Sequence, residues 1–293
     1  MRAEIEEAVP LLRRGDEAAL DQALTLLQNT IFSFSMRVCG QRQDAEDTMQ
    51  EVLLKSVPYL PKFDSPKALL VWLYKVAQNR CLMSRRRSKF APLQELSLEN
   101  LMPDRKELQK LGTDDGINPE TFAIRSEEAG HLRKAIQKLP PQYRIILVLR
   151  DMEGLSDDEA AEITGLRPGT VRVRLHRARL FVRQELTKIW KTRRRSVAKT
   201  VPPREPRSVP RCKALFAELS NYLEEKLDDS MCDELEKHLH GCAPCRAFLA
   251  TLEATIEGCR TSRAESLDRN RAVELRRKVL AELEEMVTKN VSQ

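Results

Sequence analysis

A chain of 293 residues has room for about two domains or three small ones. With 32% charged residues and only 5% aromatics it suits a helix-rich soluble protein with small cores, and not a large α/β enzyme. The net charge of +6 conceals an asymmetry: from Cys212 onward 12 Lys and Arg face 16 Asp and Glu, a net of −4, so residues 1–211 carry +10 and point to nucleic acid ahead of an anionic membrane.

The chain opens on MRAEIEEAVP, which lacks an apolar signal core. The best apolar run, Ile145 to Leu149, is far short of the ~20 residues a spanning helix needs, so no membrane contact and a cytoplasmic location are expected. In that compartment seven cysteines read as metal or redox sites rather than a disulfide framework. From Asp16 to about Arg87 the pattern is helical. Leu20, Leu24, Leu27, Ile31, Phe34 and Val38 recur every three or four residues as one buried stripe, which ends near Cys39 and Gly40. Cys39 itself reads as a small core residue. A second helix carries Asp44, Glu46 and Asp47 in its first turns, where the macrodipole favours carboxylates, with Val52 and Leu53 inside. Capping does not explain why Asp44, Asp47, Gln50 and Glu51 line one exposed side, which has the character of a docking surface.

Pro58, Pro61 and Pro66 then break helicity, giving a loop with Tyr59 and Phe63 on either side of Lys62. A third helix follows, with Leu69, Leu73, Val76 and Ala77 as its core stripe. Trp72, Lys75, Asn79, Arg80 and Arg85 to Arg87 fall on its other faces. Rings and cations mixed on one helix and loop suit single-stranded nucleic acid, whose bases stack while its phosphates are tracked. The bland alternative is a core Trp72 and arginines that favourably end a helix.

Residues 88 to about 125 form a connector with Pro92, Pro103, Pro119 and the run GTDDGINP, although Leu93 to Leu111 has room for a short helix. Further on, Ser156 and Glu159 make a capping-box signature for a short helix that buries Ala160 and Ile163 and stops at Gly165. Pro168, Gly169 and Thr170 open the next helix, where Val171, Leu175 and Ala178 make one apolar face. Arg172, Arg174, Arg177 and Arg179 project from its other faces. The pattern predicts a helix-turn-helix whose second helix enters the major groove, the alternative being an ordinary helical hairpin with a solvated arginine face.

Lys191 to Arg211 holds four prolines and eight Lys or Arg and reads as a semi-extended basic linker. Beyond it, His238, Cys242 and Cys245 form an H-x3-C-x2-C array. The x3 gap on a helix sets two ligands on one face and the C-x2-C turn joins two thiolates, so with a fourth soft ligand they would close a tetrahedral zinc site. Cys212 is preferred for that ligand, with Cys232 and Cys259 as rivals. His240 faces elsewhere. A last helix, about Glu265 to Thr288, shows Leu275, Val279, Leu283 and Met286 as an apolar seam.

DAEDTMQEV (Asp44 to Val52) and WLYKVAQNRCLMSRRR (Trp72 to Arg87) resemble region 2 of the extracytoplasmic-function sigma factors of the sigma-70 family. Leu139 to Arg179 is similar to their region 4, and the His238, Cys242, Cys245 segment resembles the zinc-binding domain of anti-sigma factors. One departure is Met83 and Ser84, where the family usually carries an acidic residue before the basic run. The resemblance implies an all-α protein with two helical domains that bind DNA and polymerase, the second with the helix-turn-helix, plus a small helical zinc-binding domain. It divides the chain into region 2 (16–90), a linker (91–125), region 4 (126–190), the basic linker (191–211) and an anti-sigma-like domain (212–293).

By the same resemblance Asp44, Glu46, Asp47 and Gln50 dock core RNA polymerase. Tyr59, Lys62, Phe63, Asp64, Asn79 and Arg80 serve the opened promoter −10 strand, and Pro168, Thr170, Arg172, Val173, His176 and Arg177 meet the −35 element. Cys212, His238, Cys242 and Cys245 hold zinc, as a structural or redox-sensing site. No catalytic residue is expected, since nucleotidyl transfer belongs to the polymerase. The acidic C-terminal domain is expected to contact the basic sigma domains within the chain, either inhibiting or supporting them. The alternative is a DNA-binding regulator that acts without polymerase and uses its zinc domain for interactions.

Overall fold

The computed structural model describes residues 3–14, 16–84, 95–103, 130–193, 212, 215–216, 218–224, 226–263 and 265–291. The Arg85 to Arg87 run, most of the 88–125 connector and most of the basic linker lie outside these residues. Among the described residues every regular element is helical. In chain order they are α1 (Ala3–Arg14), α2 (Glu17–Cys39), α3 (Arg42–Ser56), a 3-10 turn (Val57–Lys62), α4 (Pro66–Ser84), α5 (Leu98–Leu101), α6 (His131–Lys138), α7 (Pro141–Leu147), a π turn (Val148–Met152), α8 (Asp157–Thr164), α9 (Pro168–Arg193), α10 (Leu219–Leu223), α11 (Asp229–Gly241), α12 (Ala243–Thr261) and α13 (Arg269–Val291). They form two compact units that interleave along the chain. The first takes Met1–Pro92, Val148–Val171 and Arg263–Gln293, and the second takes Leu93–Leu147 and Arg172–Ser262.

In the first unit α2 is the central element, packed by α1, α3 and α4. Asp16 caps it by accepting the Ala19 N–H at 2.8 Å, and Gly40, at φ 77°, ends it in the left-handed conformation that glycine tolerates. Leu24, Leu27, Ile31, Phe34 and Val38 are buried as their spacing predicts, whereas Leu20 is only half-buried. The proline-rich stretch expected as a loop is instead ordered as the 3-10 turn, with a proline at its start where a missing N–H costs nothing. In α4 the buried set is Leu69, Leu70, Val71, Leu73, Tyr74, Ala77, Gln78 and Cys81, while Val76 is half-buried. Helix α1 was not foreseen; it adds Ile5, Ala8, Val9 and Leu12 to this core.

Cys39 is buried as expected but is more than a core filler, because it is disulfide-bonded to Cys81 of α4. The end of α2 passes α4 with the two Cα atoms 5.6 Å apart, within the range a disulfide spans. A sequence separation of 42 residues gave no local sign of that approach.

The final helix, α13, also belongs to this unit and packs on α2 and α3. Leu275 and Val279 are buried, as the apolar seam predicts; the side chains of Leu283 and Met286 lie outside the described residues.

In the second unit, Arg144 of α7 is buried and saturated. Its Nε donates to the Ile136 carbonyl at 3.1 Å, and its Nη2 donates to the carbonyls of Gln137 and Leu139 at 2.6 and 2.8 Å. One guanidinium thus satisfies the open carbonyls at the end of α6 and fixes the turn into α7. The short α5 and its flanks bury Leu96, Leu101 and Met102, and the Leu96 N–H donates to the Tyr143 hydroxyl at 3.1 Å. Part of the connector is therefore packed against α7. Around α9 the unit is completed by α10 to α12, with Phe216 stacked on Phe248 at 4.3 Å.

Candidate functional site

The helix-turn-helix forms as its local signals require. Ser156 accepts the Glu159 N–H at 3.1 Å and the Glu159 carboxylate accepts the Ser156 N–H at 2.8 Å, so both halves of the capping box are made. Gly165, at φ 69°, caps the helix, and α9 starts at Pro168. Val171, Leu175 and Ala178 are buried; Thr170, Arg172 and Val173 are exposed, and Pro168, Arg174 and Arg177 half-buried.

Two residues of α9 depart from the expected open basic face. Arg179 is buried, its Nη2 2.7 Å from Glu224 Oε1 just after α10. His176 is also buried, with Nδ1 2.7 Å from Ser220 Oγ of α10. One turn further, Arg183 donates to Thr251 Oγ1 at 2.7 Å and lies 3.7 Å from the Phe248 ring centroid, both on α12. The physical reason is common to all three: the acidic C-terminal segment supplies a carboxylate, a hydroxyl and a ring where DNA was expected. Burial, and then the charges of Arg179 and Arg177, hold His176 down at about 4, so it is neutral near pH 7.

At the start of that segment, Cys212, His238, Cys242 and Cys245 converge, all buried, with their ligand atoms within 4.8 Å of one another. His238 Nε2 lies 3.4 Å from Cys212 Sγ and 3.2 Å from Cys245 Sγ, and the Cys242 and Cys245 sulfurs are 3.3 Å apart. These edges are close to the roughly 3.5–3.8 Å of a tetrahedron with zinc–sulfur bonds of about 2.3 Å and zinc–nitrogen bonds of about 2.0 Å. Burial, and then the neighbouring Cys242 and Cys212, push the Cys245 thiol upward. A divalent cation reverses that penalty by taking the thiolate as a ligand, so the donor set fits a closed zinc site. Cys242 is not on the face of a helix with His238 as expected. It sits in extended conformation at the break between α11 and α12, and Pro244 opens the next helix. Cys232 and Cys259 stand outside the cluster, and His240 is exposed.

On the first unit, Trp72 lies between Tyr59 and Phe63, with ring centroids at 5.9 and 5.7 Å, and Lys62 Nζ is 5.3 Å from the Tyr59 ring centroid. Tyr59, Lys62, Asp64 and Asn79 are exposed and Phe63 is half-buried. The result is an open patch of rings and cations that suits unpaired bases.

Comparison with known proteins matches residues 24–90 to Sigma-70 region 2, residues 130–182 to Sigma-70, region 4, and residues 212–246 to a zinc-finger family. The RNA polymerase sigma-H factor of Pseudomonas aeruginosa is 30% identical over 178 residues, which is 59% of this chain and 89% of that protein. The chain belongs to the ECF RNA polymerase sigma factors. The ECF RNA polymerase sigma factor SigW of Bacillus subtilis is 28% identical over 64% of this chain and 98% of its own length. The corresponding SigE of Mycolicibacterium smegmatis is 32% identical over 59% and 65%. Over a third of this sigma factor lies outside each of these matches.

Within the sigma framework, the acidic face of α3 is only partly open. Asp47 is exposed and Asp44 and Gln50 are half-buried, but Glu46, expected on the docking surface, is buried. Arg42 donates to its Oε1 at 3.0 Å, while Arg271 of α13 grips Oε2 through Nε at 2.9 Å and Nη2 at 2.7 Å. Arg276 reinforces the same helix on α2, 2.7 Å from both Asp21 Oδ1 and Thr25 Oγ1. Arg80, expected to contact DNA, is paired with Glu51. Sequence reasoning missed Arg271, Arg276, Ser220 and Glu224. The opposite charge of the two ends of the chain signals Glu224 alone; Arg271 and Arg276 are cations of the acidic segment that hold carboxylates of the basic one.

Proposed function

We propose that this sigma factor binds core RNA polymerase in the cytoplasm, directs it to promoters and is inhibited by its own C-terminal segment. In this reading the α3 face around Asp44, Glu46, Asp47 and Gln50 docks polymerase. The patch of Tyr59, Lys62, Phe63 and Asp64, with Asn79 and Arg80, takes the −10 strand. The head of α9, with Pro168, Thr170, Arg172, Val173, His176 and Arg177, reads the −35 duplex. Bases stacked on rings and a helix in the major groove supply selection and strand opening, and bond making belongs to the polymerase.

The observation that carries the inhibitory sign is that His176 and Arg179 are buried against Ser220 and Glu224, a cover that region 4 cannot keep while α9 lies in a groove. The hold of Arg271 on Glu46 is the matching cover on the polymerase face. Zinc bound by Cys212, His238, Cys242 and Cys245 would tie the start of this segment to the α11–α12 break and so shape the cover; with four protein ligands it has no open position for chemistry.

The test is transcription by core polymerase supplied with the full chain, a chain lacking residues 212–293, and an Arg271→Glu variant of the full chain. Both changes are expected to raise promoter-dependent initiation several-fold, and Asp47→Lys to abolish co-purification with polymerase. Lower initiation from both would reverse the sign of the C-terminal segment. Promoter binding with no polymerase association would make the protein a regulator acting on duplex DNA alone.

A further inference from the structure

The bridge between Cys39 and Cys81 stands where three helices of the first unit meet. Cys39 is the last residue of α2, next to the left-handed Gly40, and Cys81 lies in the last described turn of α4; both are buried. Thr48 of α3 is buried beside them, with Oγ1 3.9 Å from each sulfur. At the same end of α4, Arg80 Nε is 2.5 Å from Glu51 Oε2 of α3. The covalent loop that the bridge closes, residues 39–81, contains every residue assigned above to polymerase and to the −10 strand. The other five cysteines are free thiols.

In a cytoplasm, where the function proposed above places this chain, thiol reductants keep most cysteines reduced, and the bonds that do form are mostly transient and redox-sensing. The reacting species is the thiolate. In the reduced protein the Thr48 hydroxyl is within reach of either sulfur, and a hydrogen bond donated to a thiolate favours the charged form in an otherwise apolar core. Burial suits a small oxidant over a protein one, and both sulfurs sit near helix ends, where local opening costs least. One thiolate attacks hydrogen peroxide, the O–O bond breaks, and the departing hydroxide takes up a thiol proton as water, leaving a sulfenic acid. The second thiolate attacks that sulfur; the S–S bond forms, the S–O bond breaks and a second water leaves. Two thiols and one peroxide become one disulfide and two waters, each sulfur giving up one electron and the peroxide taking both.

We propose that Cys39 and Cys81 are a site of reversible oxidation by peroxide, and that the bond they form fixes the end of α4 that reads the −10 strand. The consequence for DNA rests on the sigma reading above, whereas the thiol chemistry does not. Oxidised, α4 is tied to α2 at the residue after Arg80, so Asn79 and Arg80 meet an unpaired base from an end already ordered. Reduced, that end is held by packing and by the Arg80–Glu51 pair, and it frays more readily. The site shares no residue with the zinc cluster.

The test takes the zinc-loaded full chain through reduction with dithiothreitol, exposure to hydrogen peroxide and a second reduction. Alkylation with peptide mass spectrometry is expected to show Cys39 and Cys81 passing from free to linked and back. Thr48→Val, which keeps the shape and removes the hydroxyl, is expected to slow linkage about threefold, and Thr48→Ser to restore it. Hydrogen exchange at the end of α4 is expected to slow about tenfold in the linked form. With core polymerase, on a promoter mapped from the chain's own transcript starts, the linked form is expected to give about threefold more permanganate-reactive −10 thymines. Both forms compared are wild type, so no variant has to fold for this result. Two free thiols after peroxide, or a link that dithiothreitol leaves intact in the folded protein, would overturn the reversible site. An unchanged rate in Thr48→Val would overturn the part given to its hydroxyl. Linkage that alters neither exchange nor opening in an active complex would overturn the hold on α4. Failure of both forms to bind polymerase would defeat the sigma reading and leave the peptide chemistry standing.

Discussion

The guanidinium of Arg179 lies 2.7 Å from the carboxylate of Glu224 with its own side chain 1% exposed. A basic residue on a helix shaped for DNA has thus been withdrawn from solvent by a partner 45 positions along the chain. Removing one member of such a pair leaves a buried charge unanswered, which costs about 3–5 kcal/mol. Glu224→Gln is therefore expected to loosen residues 218–224 from α9 and to raise affinity for promoter duplex at least tenfold. Hydrogen exchange of α10 and anisotropy with labelled duplex check the two halves of this expectation. Unchanged exchange would mean that the pair does not hold the cover.

His176 makes the same cover sensitive to acid. Its folded value of about 4 lies below its ordinary 6.5, so the unfolded or uncovered state binds more protons between those values. The neutral ring's contribution, about 3 kcal/mol for a shift of that size, is fully present above pH 6.5 and drains away as pH falls toward 4. Thermal melts at pH 7.5 and 5.0 are expected to show a loss of stability that His176→Gln largely removes. A variant with the wild-type pH slope would assign that slope to another group.

Zinc removal is expected to act on the second unit first. Cys245→Ser should abolish binding of one zinc per chain. It should also reduce helical content, because the ligand cluster is where Cys212, α11 and the start of α12 come together. Zinc analysis with circular dichroism before and after chelation measures both effects. Full zinc retention in Cys245→Ser would point to Cys232 or Cys259 as a substitute ligand.

The turn of the helix-turn-helix offers a cleaner test of local encoding. Gly165 sits at φ 69° and, among the described residues, no atom lies within 4 Å of where a Cβ would be placed, so Gly165→Ala carries backbone strain without a clash. The expected cost is about 1 kcal/mol. Ser156→Ala, which removes one side of the capping box, is expected to cost about the same. Denaturant melts of both variants provide the check, and a neutral Ser156→Ala would show that the cap is replaced by water.

These four sites also mark how far sequence reading reached. Gly165, Ser156 and the stripe from Leu24 to Val38 were legible because a cap, a turn or a buried face is specified by residues within a few positions of one another. Cys212 with His238, Cys242 and Cys245 was legible because ligand chemistry narrows the choice of residue types. Arg179 belongs by spacing to the open basic face of a DNA-entering helix, which it fits in every local respect; only a carboxylate from another segment makes it buried. Glu46 and the Cys39–Cys81 bridge escape local reading for the same reason. Periodicity says which side of a helix is apolar, and it carries no record of which distant group will meet the polar exceptions.

The grip of α13 on α2 and α3 links residues 225 positions apart in the case of Arg271 and Glu46, and 251 in the case of Arg276 and Thr25. Ribosomes add about 5–20 residues per second, so roughly 10–50 seconds pass between synthesis of the acidic face and synthesis of the helix that closes over it. Each nascent chain therefore has an interval in which its polymerase-facing helices are complete and uncovered. A message truncated before codon 269 would extend that interval for the lifetime of the protein.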